Sequence, residues 1–264
     1  MLERLKKEGK IQVGHAVHPV VYFDEADSTN RIARELARGG AAHGTLVIAD
    51  MQTAGRGRRG RGWISPAGEG LFMTLILRPQ GDPAGAAKLS LCCALAVCRA
   101  IRRVSGLDAR IKWPNDIVAC GRKLCGMLLE MDFMQDGALA VSAGVGINVH
   151  QTRFDEEIAH TASSLDLLCG RRLDRHALAS AFLEEMDAAL LLLEENDDAF
   201  MRAYCALSAT ISSRVQVIAQ DGAYTGEAVG VTASGSLLVR ADEDGQVREV
   251  LAADVSVRGI MGYV

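Results

Sequence analysis

The chain has 264 residues, 49% hydrophobic and 23% charged, with 29 basic against 33 acidic side chains and a net charge of −4. That balance suits one substantial domain plus a small one and excludes a disordered, collagen-like or supercharged chain. An acidic total also argues against a protein that coats nucleic acid, which needs a basic face. The sum hides an asymmetry, because only six of the basic residues are Lys, and Arg56, Arg58, Arg59 and Arg61 fall within six positions.

No stretch approaches the ~18 apolar residues needed to span a bilayer. The first residues alternate in charge (Glu3, Arg4, Lys6, Lys7, Glu8), unlike a secretory signal. Seven Cys without a C-x-x-C pair read as reduced, mostly buried thiols of a cytosolic protein. The six His are scattered without metal-ligand spacing and read as core or solvated residues.

In chain order, Val17 to Phe23 reads as a strand, and Asp27-Ser28-Thr29-Asn30 supplies N-cap chemistry for a helix that stops at Gly39-Gly40. Thr45 to Met51 is an apolar strand of parallel or central type. A Gly/Arg loop follows, then a strand from Leu71 to Leu77, ended by Pro79. Residues 86–104 carry Leu89, Cys93, Val97, Ala100 and Val104 at helical spacing before Gly106. Ile111 to Val118, Lys123 to Phe133 and Leu139 to Val149 read as strands, with Pro114 breaking the first. A long helix, Arg175 to Glu195, turns Leu178, Phe182, Met186, Leu190 and Leu193 inward. Strands interspersed with single helices predict an α+β layer, helices against a mixed or antiparallel sheet. From Ser208 the texture changes to short alternating strands broken by Asp221-Gly222, Ser234-Gly235 and Asp244-Gly245, predicting a small all-β barrel. The expected domains are therefore 1–207 and 208–264.

Gly55-Arg56-Gly57-Arg58-Arg59-Gly60 matches G-x-G-x-x-G, but a dinucleotide fingerprint requires the last glycines to open a helix. Gly62, Pro66, Gly68 and Gly70 forbid one, and no Gly-Lys-Ser/Thr follows to make a Walker loop. What remains is a loop of guanidinium groups flanked by Gln52 and Trp63, suited to phosphate and carboxylate oxygens. Ordering about eight residues at about 1–2 kcal/mol each costs about what one nanomolar ligand supplies. The loop is therefore expected to close on an anion, with Trp63 stacking on an aromatic base. Its other reading is a solvated Arg-rich surface loop that binds RNA weakly.

Other polar groupings carry two readings each. Lys112-Trp113-Pro114-Asn115-Asp116 is a turn with a packed Trp, or a polar cluster at a strand break. Lys123, in a chain with only Lys88 and Lys112 besides it after residue ten, is solvated or serves a charge that changes during reaction. Gly144 and Gly146 share one strand face, which admits either a flat ligand or a tight structural contact. Ser28, Thr29 and Asn30 either cap a helix or hydrogen-bond a ligand at its N-terminus.

Five segments in order resemble bacterial biotin–protein ligases: Asp27-Ser28-Thr29-Asn30, the run from Gln52 to Trp63, Lys112-Trp113-Pro114-Asn115-Asp116, Lys123-Leu124-Cys125-Gly126 and Gly144-Val145-Gly146-Ile147-Asn148. The likeness runs from about Val20 to Arg258. It implies a biotin/lipoate ligase-like catalytic domain with an SH3-like C-terminal barrel. It also implies ATP-dependent formation of biotinyl-5′-AMP and transfer of biotin to one Lys of a biotin carboxyl carrier protein. Carried over, Ser28, Thr29, Asn30 and Gln52 bind biotin, with Gly55, Gly57, Gly126, Gly144 and Gly146 making room for it. Arg56, Arg58, Arg61, Trp63, Lys112, Asn115 and Asn148 serve ATP and the adenylate, and Lys123, Arg56 and Arg58 carry the chemistry. Mg²⁺ is expected with ATP, with Asp116 as its candidate ligand; Asn115 and Asp116 either hold it or orient the acceptor Lys. Some members carry an N-terminal winged helix; here only about 20 residues precede the first core strand, so no DNA binding is expected. No membrane partner is expected, and a homodimer is compatible with the family. The related lipoate ligases and octanoyl transferases lack the Gly/Arg loop with its Trp.

Overall fold

A computed structural model of the chain describes residues 2–79, 88–134, 137–219, 222–252 and 256–259. Ala86 and Ala87 of the second predicted helix, Asp221 of the first predicted turn and residues 260–264 of the barrel segment lie outside the described residues. The chain opens with α1 (Glu3–Glu8), β1 (Lys10–Val13), β2 (Ala16–Ala26), α2 (Thr29–Arg38) and β3 (Leu46–Gln52). A short 3-10 turn at Arg58–Gly60 precedes β4 (Gly70–Leu77), α3 (Lys88–Ser105), β5 (Arg110–Lys112), β6 (Asp116–Ala119), β7 (Arg122–Phe133) and β8 (Leu139–Asn148). Then come α4 (Glu156–Ala159), α5 (Leu165–Cys169), α6 (Arg175–Glu195) and α7 (Asp197–Ala206). The described strands end with β9 (Arg214–Ala219), β10 (Gly222–Val231), β11 (Leu237–Ala241), β12 (Val247–Val250) and β13 (Ser256–Gly259).

Strands β1 to β8 form one sheet in the order β1-β2-β3-β4-β8-β7-β6-β5, and β9 to β13 form a second in the order β12-β11-β10-β9-β13. Only the β2–β3 pair is parallel, so the large sheet is mixed, as expected. The central strands β4 and β8 are buried almost throughout because both faces are covered. On one face α3, α6 and α7 pack Leu95, Phe182, Met186 and Phe200 against Leu75, Val145 and Ile147. On the other, α2 sets Ala33 and Ala37 against Val47, Ile76 and Ala140. Small residues on that side of α2 let the helix lie close to the sheet, and this closeness brings its N-terminus over β4 and β8.

Five elements, α1, β1, α4, α5 and α7, were not anticipated. Short α1 and β1 hide behind alternating charge, with Leu2, Leu5 and Ile11 supplying their buried contacts. Helix α7 is signalled mainly by its cap, Asn196, whose side chain accepts from Ala199 N at 2.9 Å. The predicted strand 111–118 is two strands joined through Trp113-Pro114-Asn115, paired as a hairpin with Lys112 opposite Asp116. No helix among the described residues is long and apolar enough to cross a membrane.

Candidate active site

The site forms on the α2 side of the large sheet. Side chains alternate along a strand, so Gly144, Gly146 and Asn148 of β8 share one face. At about 3.3 Å per residue, the first and last of these stand about 13 Å apart. Across the strands, Asp116, Gly126 and Gly146 are successive register partners. At about 4.8 Å per strand, Asp116 lies about 10 Å to the side of Gly146. These two directions frame a cavity of about 900 Å³.

The pole at Gly144 belongs to α2. Ser28 is the helix N-cap, its hydroxyl accepting from Arg31 N. Thr29 donates to Gln52 Oε1 from its backbone N–H at 2.8 Å and from its hydroxyl at 3.1 Å. Gln52 in turn donates from Nε2 to Ser65 Oγ at 3.0 Å. Asn30 donates from Nδ2 to Leu128 O and Glu130 Oε2, at 3.1 and 2.9 Å, and its Oδ1 accepts from Thr74 at 2.7 Å. Gly144 is required by this arrangement, since a Cβ there would lie 2.1 Å from Asn30 Oδ1.

Between the poles the charge is concentrated. Lys123 Nζ pairs with Asp116 Oδ1 at 2.7 Å and stands 5.4 Å from the centroid of the Trp63 ring. The indole covers Gly126 and Gly146: Cβ atoms there would fall 2.8 Å from Trp63 Cζ3 and 2.6 Å from Trp63 Nε1. Trp63 Nε1 is buried with no acceptor among the described residues. Arg58 donates to Asn115 Oδ1 at 3.0 Å and to the Ala252 carbonyl just after β12. Burial holds its pKa below the ordinary guanidinium value, against the pull of Asp116. Asn115 donates to Met127 O at 2.8 Å, which fixes the turn of the Lys112–Asp116 segment.

The Gly/Arg loop is a hydrogen-bonded hairpin. Trp63 N donates to Gly55 O at 2.9 Å and Gly57 N to Arg61 O at 2.7 Å, with bridge Arg56↔Gly62 between them and bridge Gln52↔Ser65 at the base of the hairpin. Arg59 takes φ 58° and Gly60 φ 74° at its tip. This ladder supplies part of the ordering that the sequence alone assigns to a ligand.

At the far pole Asn148 donates from Nδ2 to Ser163 O at 3.1 Å. Gln151, only 4% exposed, donates from Nε2 to Asn148 Oδ1 at 3.4 Å. Arg153 and Phe154 continue this wall.

Of the predicted residues, Ser28, Thr29, Asn30, Gln52, Arg56, Gly57, Arg58, Arg61, Trp63, Lys112, Asn115, Asp116, Lys123, Gly126, Gly144, Gly146 and Asn148 all line the cavity. Gly55 is not among the lining residues; a Cβ there would sit 2.4 Å from Trp63 O, so its place is in the hairpin. The sequence reading missed Thr74, Ser65, Glu130 and Gln151, lone polar residues outside any motif; only their contacts reveal them. Among the described residues no group of three or more His, Cys, Asp or Glu side chains is placed to hold a metal.

Residues 22–148 match the Biotin/lipoate A/B protein ligase family, and residues 210–258 match the Biotin protein ligase C terminal domain. The chain is 33% identical over 259 residues to a biotin--[acetyl-CoA-carboxylase] ligase of Mycobacterium tuberculosis, covering 96% of this chain and 94% of that protein. It is 34% identical over 248 residues to the bifunctional ligase/repressor BirA of Bacillus subtilis, covering 90% of this chain and 74% of that protein. The fold is similar to the biotin protein ligase of Aquifex aeolicus in complex with biotin and ATP. That match has TM-score 0.78 and 30% identity, and covers 91% of this chain and 98% of the other.

Proposed function

The chain belongs to the biotin/lipoate A/B protein ligase family, and from that premise we propose that it activates biotin with ATP to biotinyl-5′-AMP and transfers biotin to a Lys of a biotin carboxyl carrier protein. The observation that carries this reading is the layout of the cavity. The hydrogen-bonding pole of Ser28, Thr29 and Gln52 belongs to the Gly144 end of β8 and the other pole is Asn148, about 13 Å farther along that strand, with Lys123 beside Gly126, the register partner of the intervening Gly146, and Arg58 on the same cavity wall. That is the order of groups in an acyl-adenylate: ring system, reacting carboxylate and phosphate, then base.

In this reading the biotin ring lies at the α2 pole, where Ser28, Thr29 and Gln52 offer donors and acceptors. Asn30 acts by position, because its amide is already committed to Leu128, Glu130 and Thr74. The valeryl chain crosses the glycine floor, taking space that the Trp63 indole now holds. The carboxylate oxygen then attacks the α-phosphorus of ATP, an O–P bond forms, and the bond to pyrophosphate breaks. Lys123, Arg56, Arg58, Arg61 and Lys112 meet the charge that develops, and donors placed in advance contribute most in such a water-poor cleft. Lys123 is held for this by Asp116, so the ammonium lies beside the floor before substrate arrives. Trp63 and Asn148 serve the nucleotide. In the second half-reaction the acceptor Lys amine attacks the acyl carbon and AMP leaves.

Mg²⁺ supplies charge neutralisation for the departing pyrophosphate. Such ions are held by phosphates, waters and one or two carboxylates. The residues present fit that demand, with Asp116 facing the cavity and no all-protein cage among the described residues. The test is incubation of the protein with ATP, Mg²⁺, biotin and an apo carrier domain, read by streptavidin blot. Labelling of the carrier is expected; acceptance of lipoate in place of biotin would contradict the assignment.

A further inference from the structure

We propose that Gln151 is a specificity-determining residue for the nucleotide, its side-chain carbonyl accepting a hydrogen bond from the exocyclic amine of adenine. The inference rests on the proposed function, since it places the base at the Asn148 pole.

Gln151 follows β8 by three residues, outside every segment that carries the family resemblance. It lines the cavity and is nearly inaccessible, yet its Oε1 meets no donor among the described residues. The orientation of the amide follows from its neighbour. Asn148 spends an N–H on the Ser163 carbonyl, and its Oδ1 receives Gln151 Nε2 at 3.4 Å, which leaves the Gln151 carbonyl as the unmatched end. A buried acceptor without a donor is unfavourable, so such groups are rare unless a ligand completes them.

The ligand that completes this one must bring an N–H donor to a site already holding a second amide. A side-chain carbonyl has two lone pairs, so Asn148 Oδ1 keeps one after accepting from Gln151. Two acceptors side by side match the two hydrogens of an adenine 6-amino group. Asn amides are suited to adenine for the same reason, accepting from N6–H. A 6-oxo base such as guanine or hypoxanthine turns an oxygen toward two carbonyl oxygens instead. The biotin ureido group also has N–H donors, but it sits at the opposite pole. A site that hydrogen-bonds a substrate N–H rejects the analogue lacking it, because its own polar groups are then left unpaired.

The test compares ATP with purine riboside 5′-triphosphate, which has hydrogen at position 6, in biotin-dependent pyrophosphate exchange by the full chain and by Gln151→Met. Met keeps the length of the side chain and removes the acceptor. The wild type is expected to favour ATP in kcat/KM by about tenfold or more, the value of one such hydrogen bond. Gln151→Met is expected to lose most of that preference through the KM for ATP, with the KM for biotin and the melting temperature close to wild type. A merely structural role would lower both nucleotides alike and leave the ratio intact. An unchanged ratio in the variant, or no preference in the wild type, overturns the assignment of Gln151. Failure of the wild type to exchange with ATP at all would remove the functional reading itself, and this inference with it.

Discussion

Two residues of the cavity, Lys123 and Gly144, act in opposite ways, one by its charge and one by the side chain it lacks. Lys123 is one of three Lys after residue ten, and the structure places its ammonium against Asp116 and the face of Trp63. Removing a preplaced donor from a developing anion costs about 100-fold to 1,000-fold in rate. Lys123→Ala is therefore expected to lower biotin-dependent pyrophosphate exchange by that order while biotin binding, followed by calorimetry, is largely kept. Exchange at the wild-type rate would take Lys123 out of the chemistry. Gly144 matters by what it lacks. A methyl group there meets the Asn30 carbonyl, whose amide is fixed by three partners, so it cannot yield cheaply. Gly144→Ala should destabilise the chain by about 1–3 kcal/mol and raise the KM for biotin. A variant with wild-type melting and KM would show that the α2 pole adapts freely.

At the level of elements, the long periodic segments were readable and the composite ones were not. The helix pattern of Leu178, Phe182 and Met186 and the apolar run of Thr45 to Met51 place α6 and β3 because each keeps one character, periodic or continuously apolar, over enough residues. The pieces α1, β1 and α7 draw their stability from contacts with distant residues, which no local pattern records. The same division holds in the site. Motif residues were found because Gly, Arg and Lys are chemically conspicuous, whereas Gln151, Thr74 and Ser65 became visible only through their partners. The Gly/Arg loop sits between these cases, since its composition suggests an anion site but its hairpin rungs leave no trace in the sequence. Three of its four Arg, Arg56, Arg59 and Arg61, remain exposed. Trypsin is accordingly expected to cut near Arg58 or Arg59 in the free protein and markedly more slowly with biotin and ATP. Equal rates would mean that ligands do not add to the order of the hairpin.

Across the whole molecule, the second sheet is tied to the first through the site. Trp113, on the turn between β5 and β6, is 2% exposed and packs with Val215, Val217, Leu237, Val239 and Val250 of the small sheet. Its indole N–H donates to Gly235 O at 2.9 Å, and its backbone N–H donates to Thr210 Oγ1 at 3.0 Å. The turn that presents Asn115 and Asp116 to the cavity is thus anchored in the C-terminal segment, which also holds Arg58 through the Ala252 carbonyl. Trp113→Ala removes the largest side chain of that core, at a cost of about 3–5 kcal/mol. The expected outcome is a lower melting temperature together with a raised KM for ATP. A loss of stability with unchanged nucleotide kinetics would mean that the small sheet does not support the site.

In the proposed reaction one cleft joins a carboxylate to a nucleotide before any acceptor protein is present. Biotin-dependent exchange of labelled pyrophosphate into ATP, measured with the purified chain, Mg²⁺ and no carrier, tests this most directly. The predicted result is exchange that requires biotin and saturates with it. Exchange that proceeds equally without biotin, or appears only when the carrier is added, would contradict it.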